Sequence, residues 1–440
     1  MTDHKTSLTD SSKASQVVFL FLLGLWSTSQ LISVLGFLPD IALVILHHSK
    51  NILGALVVSW AFIVILSQFL QRRAISFDTN LFLLALLFPF YVTLLNIIRD
   101  AISWKEVLLY WFWVTGVYLV FPVMLQDKEL RRKAIKVVFW TNLLVLLVGI
   151  SLGVLKGRYY VVEHGNRMIF SFLHPNYYCN SWQVIFVLGF FYAVTVSHKW
   201  LKVASSLLLL FAAIFMLLAV SRNTLVASVL VPVGYVLLSK KVPGLVKYVS
   251  SFFIFSLGLL ALLYINPSVQ RIDNMATGRL SIWKMTLDAN LNRASAFDYL
   301  LGFGKYKIKG FPVGPCKTYA AEELARDHVD NAYLDIILQN GIIGFLLFFI
   351  PILIIMRRTR VNAVFAADDL ISRQARIVLG CWAGIMFQMV TVSIIPSFGN
   401  VINIFILVFM APMALKIQPV QPASVEEATS SLSPVRSIGR

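Results

Sequence analysis

The sequence predicts an all-α integral membrane protein with about twelve transmembrane helices and one long extracytoplasmic loop that contains short helices. Hydrophobic residues make up 58% of the 440 residues, and charged residues make up only 13%. A soluble domain carries about a quarter charged residues, so this deficit indicates a membrane protein. The apolar residues occur in runs of about twenty, the length that crosses a bilayer. One long polar segment separates the last three of these runs from the others.

The formal net charge of +17 does not indicate a nucleic-acid partner. Lys and Arg residues occur in short clusters between apolar runs, which is the pattern that orients a membrane protein. The cysteines at Cys179, Cys316 and Cys381 are widely separated, so they predict neither a metal site nor a disulfide framework.

Each apolar run predicts one span. The predicted spans are residues 17–38, 52–70, 79–98, 105–125, 133–154, 180–197, 201–220, 222–239, 246–265, 334–356, 375–395 and 398–416. Apolar character resumes after Pro39 and Asp40, which leaves a kinked or re-entrant piece open at that point.

The predicted division of the chain follows from these spans. Residues 1–16 form a cytoplasmic tail, 17–265 a bundle of about nine spans, 266–331 an extracytoplasmic loop, and 332–416 about three further spans. Residues 417–440 are rich in Ser, Pro and Ala and predict a disordered cytoplasmic tail.

Basic residues predict the orientation of the bundle. An even number of spans leaves both termini on one side, and the loops of that side hold most of the Lys and Arg residues, including Arg131, Arg132, Arg357, Arg358 and Arg373. Positive charge is retained in the cytoplasm, so both termini are predicted there and the long loop outside. Ionisable residues such as Glu106 and Asp335 fall at predicted span ends, which argues against a proton- or ion-coupled carrier.

The long loop has features of an ordered unit. Residues 277–292 carry apolar side chains at helical spacing, which predicts an amphipathic helix. Gly and Pro residues between 302 and 315 predict turns.

Arg222 lies in a short polar break, residues 221–224, between two apolar runs on the predicted outer face. A guanidinium there fits a phosphate or diphosphate of a lipid, and it equally fits an Arg that snorkels to ordinary headgroups. Arg279 begins the amphipathic helix, where it provides a second anion contact or a solvated polar face.

Candidate bases lie where the loop ends. His328 and Asp330 both accept protons from hydroxyl groups. Asp330 or Asn331 also fits the N-cap of the span that follows. The sequence shows no comparable structural role for His328.

A second polar cluster covers residues 158–180 and includes Arg158, Arg167, His174 and Asn176. Aromatic and Arg side chains at a membrane face suit a sugar bound beside a phosphate, and they also suit an interfacial aromatic belt.

Three short motifs resemble the O-antigen ligase and polymerase superfamily of bacterial surface-polysaccharide enzymes. They are AVSRNT at 219–224, GRLSIW at 278–283, and DNAYL at 330–334 followed by NGIIG at 340–344. Their order and the long outer loop are also similar to the family pattern, over about residues 170–400.

The resemblance implies an enzyme of the bacterial cytoplasmic membrane that transfers glycan from undecaprenyl diphosphate to an acceptor glycan or glycolipid. Arg222 and Arg279 would bind the diphosphate, and His328 or Asp330 would act as the base. Arg158, Arg167, His174, Asn176, Asn331 and Tyr333 would contact substrate. No metal, cofactor or nucleotide sugar is expected, and other polysaccharide-assembly proteins are candidate partners.

The resemblance leaves the acceptor open. Ligases commonly place His directly before the Asn, whereas Asp330 holds that place here. The DNAYL motif and the FLHPN motif at 172–176 are more similar to polymerases, so the sequence favours a polymerase over a ligase. A flippase for lipid-linked sugars is the alternative from another class.

Overall fold

A computed structural model describes residues 10–32, 35, 39–71, 77–99, 104–157, 160–161, 167–168, 170, 172, 175–219, 221–239, 283, 287, 295–304, 331–366, 369–390 and 400–414. Within these residues the chain is mainly helical. The helices are α1 (Asp10–Ile32), α2 (Asp40–Leu70), α3 (Thr79–Arg99), α4 (Trp104–Thr115), α5 (Phe121–Met124), α6 (Lys128–Leu155), α7 (Pro175–Thr195), α8 (Lys199–Leu218), α9 (Arg222–Leu237), α10 (Ala296–Leu301), α11 (Ala332–Phe365), α12 (Asp369–Met389) and α13 (Val401–Phe405).

Two segments widen into π-helix, Gly116–Val120 between α4 and α5 and Ile406–Met410 after α13, and a 3₁₀ turn, Ala411–Ala414, follows the second. The two π segments pack together, because a Cβ on Gly116 would lie 3.0 Å from Leu407. A hairpin of two short strands, β1 (Tyr160–Val161) and β2 (Arg167–Met168), was not predicted from the sequence.

Six helical segments are long and apolar enough to cross a membrane, so the chain is a multi-pass membrane protein. They are His48–Leu70, Thr79–Ile98, Trp104–Met124, Lys128–Leu155, Lys199–Leu218 and Ala332–Phe365. Every predicted span other than 246–265, which lies outside the described residues, overlaps a helix. Large apolar side chains such as Phe90, Trp140 and Trp200 are exposed on the outer surface of the bundle, as in proteins that face lipid.

Two predicted boundaries differ from the structure. Helix α1 begins at Asp10, inside the stretch predicted as a polar tail, because its Ser, Lys and Gln residues are compatible with a helix. The apolar piece after Pro39 is continuous with the helix that follows it. It forms the first turns of α2, whose residues 47–50 are polar and helix-compatible and therefore end a hydropathy window without ending the helix.

Charged contacts define one end of the bundle, which we call the Arg373 end. Arg373 Nη1 donates to the carbonyl of Val194 at 2.6 Å, and Arg358 pairs with Asp78 at 2.6 Å. These residues lie near the end of α7, the second half of α11, the start of α12 and the start of α3. The contacts therefore place three of the loops predicted on the cytoplasmic side at a common end of the bundle.

Candidate active site

The opposite end of the bundle is organised around the start of α11. The Oδ1 atom of Asn331 accepts hydrogen bonds from the backbone N–H groups of Tyr333 at 3.0 Å and Leu334 at 3.1 Å. Asn331 is buried and is the N-cap of α11. The sequence left this cap to Asp330 or Asn331. Because Asn331 makes it, capping no longer accounts for the carboxylate at position 330. We call this the Asn331 end.

Tyr333 ties the first turn of α11 to the last turn of α12. Its hydroxyl donates to the carbonyl of Met386 at 2.8 Å. Its ring stacks on Phe349, with centroids 5.1 Å apart and planes inclined by 18°. Tyr333, which was predicted to contact substrate, is therefore held at its hydroxyl and on one face of its ring by contacts within the bundle.

A buried amide bridge joins three helices at this end. Gln388 Nε2 donates to Gln183 Oε1 at 2.9 Å and lies 3.5 Å from Thr224 Oγ1. The three side chains belong to α12, α7 and α9, and each is at most 5% exposed. Buried polar groups that bond across helices fix the relative positions of those helices.

The start of α9 differs from the four-residue polar break that the sequence predicted. Arg222 is the first residue of the helix, and the two polar residues after it lie in its first turn. The hydroxyls of Ser221 and Thr224 are 2.9 Å apart and buried, so they bond to each other instead of reaching water. The break is therefore shorter than predicted because its polar groups satisfy one another inside a helical turn.

Close packing of α9 against α12 sets where Arg222 lies. A Cβ on Gly384 would come within 2.6 Å of the Ala227 carbonyl oxygen, and one on Gly380 within 2.8 Å of Val231. Residue numbers rise along α9 as they fall along α12, so the helices are antiparallel. This packing brings the first residue of α9 to the end of α12, beside the helix that holds Tyr333. Position 222 and the Asn331 cap are therefore at the same end.

A kink divides α11 into two parts. Gly341 has φ 65° and ψ −173°, a backbone conformation that essentially only glycine adopts. Such a kink removes helical hydrogen-bond partners from the carbonyls that precede it. The Tyr91 hydroxyl lies 2.9 Å from the carbonyl of Asn340 and supplies one replacement donor.

The other donors come from the long loop. The backbone N–H of Phe303 donates to the carbonyl of Leu338 at 2.7 Å, and that of Gly304 donates to the carbonyl of Gln339 at 3.1 Å. Gly302 has φ 86°, and a Cβ there would overlap the backbone of α11. Gly302 and Gly304 both have positive φ, and residues 303 and 304 dock onto the kink through main-chain hydrogen bonds. The rest of the predicted turn region lies outside the described residues.

Several predicted site residues are not placed. Arg279, His328, Asp330, Arg158 and His174 lie outside the described residues. Arg167 lies in β2 and Asn176 in the first turn of α7, where the backbone alone is described. Of the amphipathic helix predicted at 277–292, the structure describes Trp283 and Leu287, both half-buried.

Sequence reasoning missed the amide bridge. Gln183 and Gln388 stand singly inside apolar runs, which is the signal that was available, since a lone amide in a span needs a partner. The identity of that partner was not readable, because it lies on another helix. In the described part of the chain, no three His, Cys, Asp or Glu side chains are grouped closely enough to hold a metal ion. The hydrogen bonds described at the Asn331 end are made by amides, hydroxyls and backbone groups.

Comparison with known proteins adds a family match over part of the chain. The O-antigen ligase family model matches residues 207–349. No curated protein matches the chain. The family match confirms the resemblance to the O-antigen ligase and polymerase superfamily over that segment, and it supports a membrane glycosyltransferase of this type. The matched segment includes Arg222, Arg279, His328, Asp330 and Tyr333, and it begins after the polar cluster at 158–180.

Proposed function

We propose that this protein is a polysaccharide polymerase of the cytoplasmic membrane. It moves glycan from undecaprenyl diphosphate to a hydroxyl of the next lipid-linked unit, on the outer face. The observation that carries the proposal is the O-antigen ligase family match over residues 207–349. That segment holds both the start of α9 and the start of α11, which meet at the Asn331 end through their contacts with α12.

The proposed chemistry needs a base and a means of stabilising the leaving group. An acceptor hydroxyl loses its proton to His328 or Asp330, and its oxygen attacks the anomeric carbon of the donor. The bond to the diphosphate breaks, and Arg222 and Arg279 stabilise the negative charge that develops there. Arg222 is the first residue of α9, so the N–H groups and dipole of that helix start add to the attraction for an anion.

The rigid contacts described at the Asn331 end suit this role. The base candidates at 328 and 330 immediately precede Asn331, whose cap starts α11. The loop that carries Arg279 is anchored at the α11 kink by the hydrogen bonds of Phe303 and Gly304. Fixed points of this kind lower the conformational entropy that is lost when neighbouring polar groups are positioned for reaction.

A polymerase is favoured over a ligase by the sequence around the base. Asp330 stands where ligases commonly have His, and the DNAYL and FLHPN motifs are more similar to polymerases. In the ligase alternative the acceptor is a lipid A-core sugar. In both cases Asn331, Tyr333, Arg158, Arg167, His174 and Asn176 are proposed to contact substrate.

The proposal includes the topology predicted from the sequence. About twelve spans, with both termini in the cytoplasm, leave the Arg373 end inside and the Asn331 end outside. Residues 266–331 then form the extracytoplasmic catalytic loop. The product is a capsular, exopolysaccharide or O-antigen chain, and the partners are lipid-linked oligosaccharides, membrane lipids and other polysaccharide-assembly proteins.

Polysaccharide length in a deletion strain tests the proposal. A polymerase predicts loss of long chains, with single repeat units still attached to the cell-surface acceptor. Polymer that accumulates on the lipid carrier would instead identify a ligase. Repeat units that fail to reach the outer face would identify a flippase.

Complementation with variants tests the site. Arg222→Ala or Arg279→Ala is expected to lower polymer yield by roughly a hundredfold or more, because each removes a contact to the developing charge. Arg360→Ala is the matched control, since Arg360 is an exposed arginine near the Arg373 end. Unchanged chain length and yield in both site variants would refute the site assignment.

A further inference from the structure

A buried lysine lies in the first half of α2. Lys50 is only 3% exposed. Within the described part of the chain, its ammonium group has no hydrogen-bond or ion-pair partner. The charged group that acts on it electrostatically is another cation, Lys105 at the start of α4. Among the described residues no opposite charge is paired with these two ammonium groups, one of which is covered by protein, so they form a positively charged site.

Snorkelling does not explain Lys50. A lysine that snorkels extends along the lipid-facing surface and leaves its ammonium in the headgroup region. Lys50 is instead covered by protein, and its face of α2 points into the bundle. Gly54, one turn further along the same face, packs so closely that a Cβ there would lie 2.9 Å from the Trp26 ring on α1.

The uncompensated charge is energetically unfavourable without a ligand. Removing an ammonium from water costs several kcal/mol unless an anion or a set of hydrogen-bond acceptors replaces the water. Buried ionisable groups in membrane proteins are accordingly rare and commonly functional. An anion placed between Lys50 and Lys105 would remove both the desolvation cost and the mutual repulsion.

The lysine pair lies at the Asn331 end. Helix α2 runs toward the loop before α3, where Asp78 pairs with Arg358 at the Arg373 end, so the start of α2 is at the opposite end. On α4, Lys105 is followed by Glu106, which acts electrostatically on Tyr110 together with Asp335 from the first turn of α11. The lysine pair therefore adjoins the candidate active site across α4.

We infer that Lys50 and Lys105 form a second phosphate-binding subsite. It holds the diphosphate of one lipid-linked substrate, while Arg222 and Arg279 hold the diphosphate of the other lipid-linked substrate. The inference rests on the proposed polymerase function. A polymerase joins two lipid-linked chains, so it must bind two diphosphates at once, and only the donor diphosphate is a leaving group. The lysine subsite is assigned to the acceptor, whose bond to diphosphate stays intact, so no covalent step occurs there.

Counting bound lipids tests the subsite. The purified full-length chain, in nanodiscs of phosphatidylcholine, is titrated with undecaprenyl diphosphate and analysed by native mass spectrometry. Wild type is expected to bind two molecules, and Lys50→Gln one. Lys50→Arg should retain two, since the positive charge is kept. Lys156→Gln is the control and should also retain two, because Lys156 is an exposed lysine that caps the end of α6.

Two further measurements keep the test decisive. If Lys50→Gln does not fold, Lys105→Gln replaces it, because that side chain is exposed and its replacement leaves no cavity in the core. Inorganic diphosphate is added as a competitor. If inorganic diphosphate displaces the second lipid only when its concentration is at least about tenfold above that of the lipid, the result supports a lipid-linked ligand. Equal competition would show a site for free diphosphate and overturn the assignment to a lipid.

Failure of the subsite and failure of the proposed function give different results. Two bound lipids in both Lys50→Gln and Lys105→Gln, with an unchanged half-saturating concentration of acceptor, would overturn the subsite and leave the polymerase proposal intact. Undiminished transfer by Arg222→Ala would overturn the proposed function instead. Support for the subsite is a rise of about tenfold or more in the half-saturating acceptor concentration for Lys50→Gln, with donor saturation unchanged.

Discussion

At the Arg373 end, the arginines that connect helices have hydrogen-bond partners. At the Asn331 end, by contrast, Lys50 is buried beside another lysine. Arg376 Nε lies 3.3 Å from the carbonyl of Ala363 and its Nη2 lies 2.8 Å from Ser372 Oγ, while Arg373 donates to the carbonyl of Val194. Carbonyls at helix C-termini and arginines are complementary, so this end is built for stability.

The polar groups at the Asn331 end have a different role. Its amides and hydroxyls hold helix starts in position, and its cations are proposed to bind substrate. Buried polar groups without full compensation lower stability and are commonly found at functional sites. Substitutions at the Arg373 end should therefore reduce stability alone, and those at the Asn331 end should reduce activity by more than their effect on stability.

The largest effect on stability is expected at the α11 kink. Gly341→Ala forces a side chain onto a backbone conformation that costs about 1–3 kcal/mol, and its Cβ would also overlap the backbone at Leu300. We expect little folded protein, measured as the yield of monodisperse protein in detergent. Gly157→Ala is the matched control, because Gly157 also has positive φ (62°) but nothing lies within 4 Å of a Cβ there. Equal yields for the two variants would contradict the docking of the loop onto the kink.

The next largest effect is expected at the Arg373 end. Arg373→Ala removes a charge-assisted hydrogen bond to Val194, which is worth about 1.5–3 kcal/mol. The melting temperature in detergent should fall, while the transfer rate per folded molecule should stay at the wild-type value. A fall in the transfer rate with no loss of stability would contradict the assignment of the active site to the Asn331 end.

A smaller loss of stability and a larger loss of activity are expected for Gln388→Leu. The variant keeps the side-chain volume but removes the bridge to Gln183 and Thr224, and interhelical hydrogen bonds of this kind contribute about 1 kcal/mol. Transfer per folded molecule should nevertheless fall, since α9 loses the hydrogen bonds that fix its first turn against the end of α12. The ratio of lost activity to lost stability should therefore be higher for Gln388→Leu than for Arg373→Ala. This comparison distinguishes the two ends most clearly.

The smallest effect is expected for Tyr333→Phe. The variant loses the hydrogen bond to the Met386 carbonyl, worth about 0.6 kcal/mol, and retains the stacking on Phe349. Thermal unfolding should change by no more than a few degrees. Loss of transfer activity without a matching loss of stability would show that the hydroxyl acts on substrate, beyond its role in fixing α11.

Much of the helical framework was predictable because hydropathy is a local property. A run of about twenty apolar residues specifies a span whatever it packs against, and an Asn before such a run specifies a cap, as at Asn331. The polar start of α2 was misjudged for the same reason. A hydropathy window registers the charge of Lys50 but not the helical hydrogen bonds that continue through it.

The candidate site was predictable only in part. Short motifs drew attention to Arg222 and to the segment before α11, but the contacts that bring the starts of α9 and α11 together run through Gln388 and Met386 on a helix with no motif. Long-range partners of this kind depend on which helix faces which, and that is decided by packing features such as Gly384 against Ala227. The hairpin of β1 and β2 was missed because two-residue strands leave no alternating pattern.

Transfer by the purified chain tests the central claim most directly, that the Asn331 end is a glycosyltransferase site. Wild type, Arg222→Ala and Arg360→Ala are reconstituted into phosphatidylcholine vesicles with undecaprenyl-diphosphate-linked oligosaccharide, and chain extension is followed over time. The prediction is extension by wild type and Arg360→Ala, and a rate lower by roughly a hundredfold or more for Arg222→Ala. Equal rates for the two variants, or lipid movement across the bilayer with no extension by wild type, would contradict it.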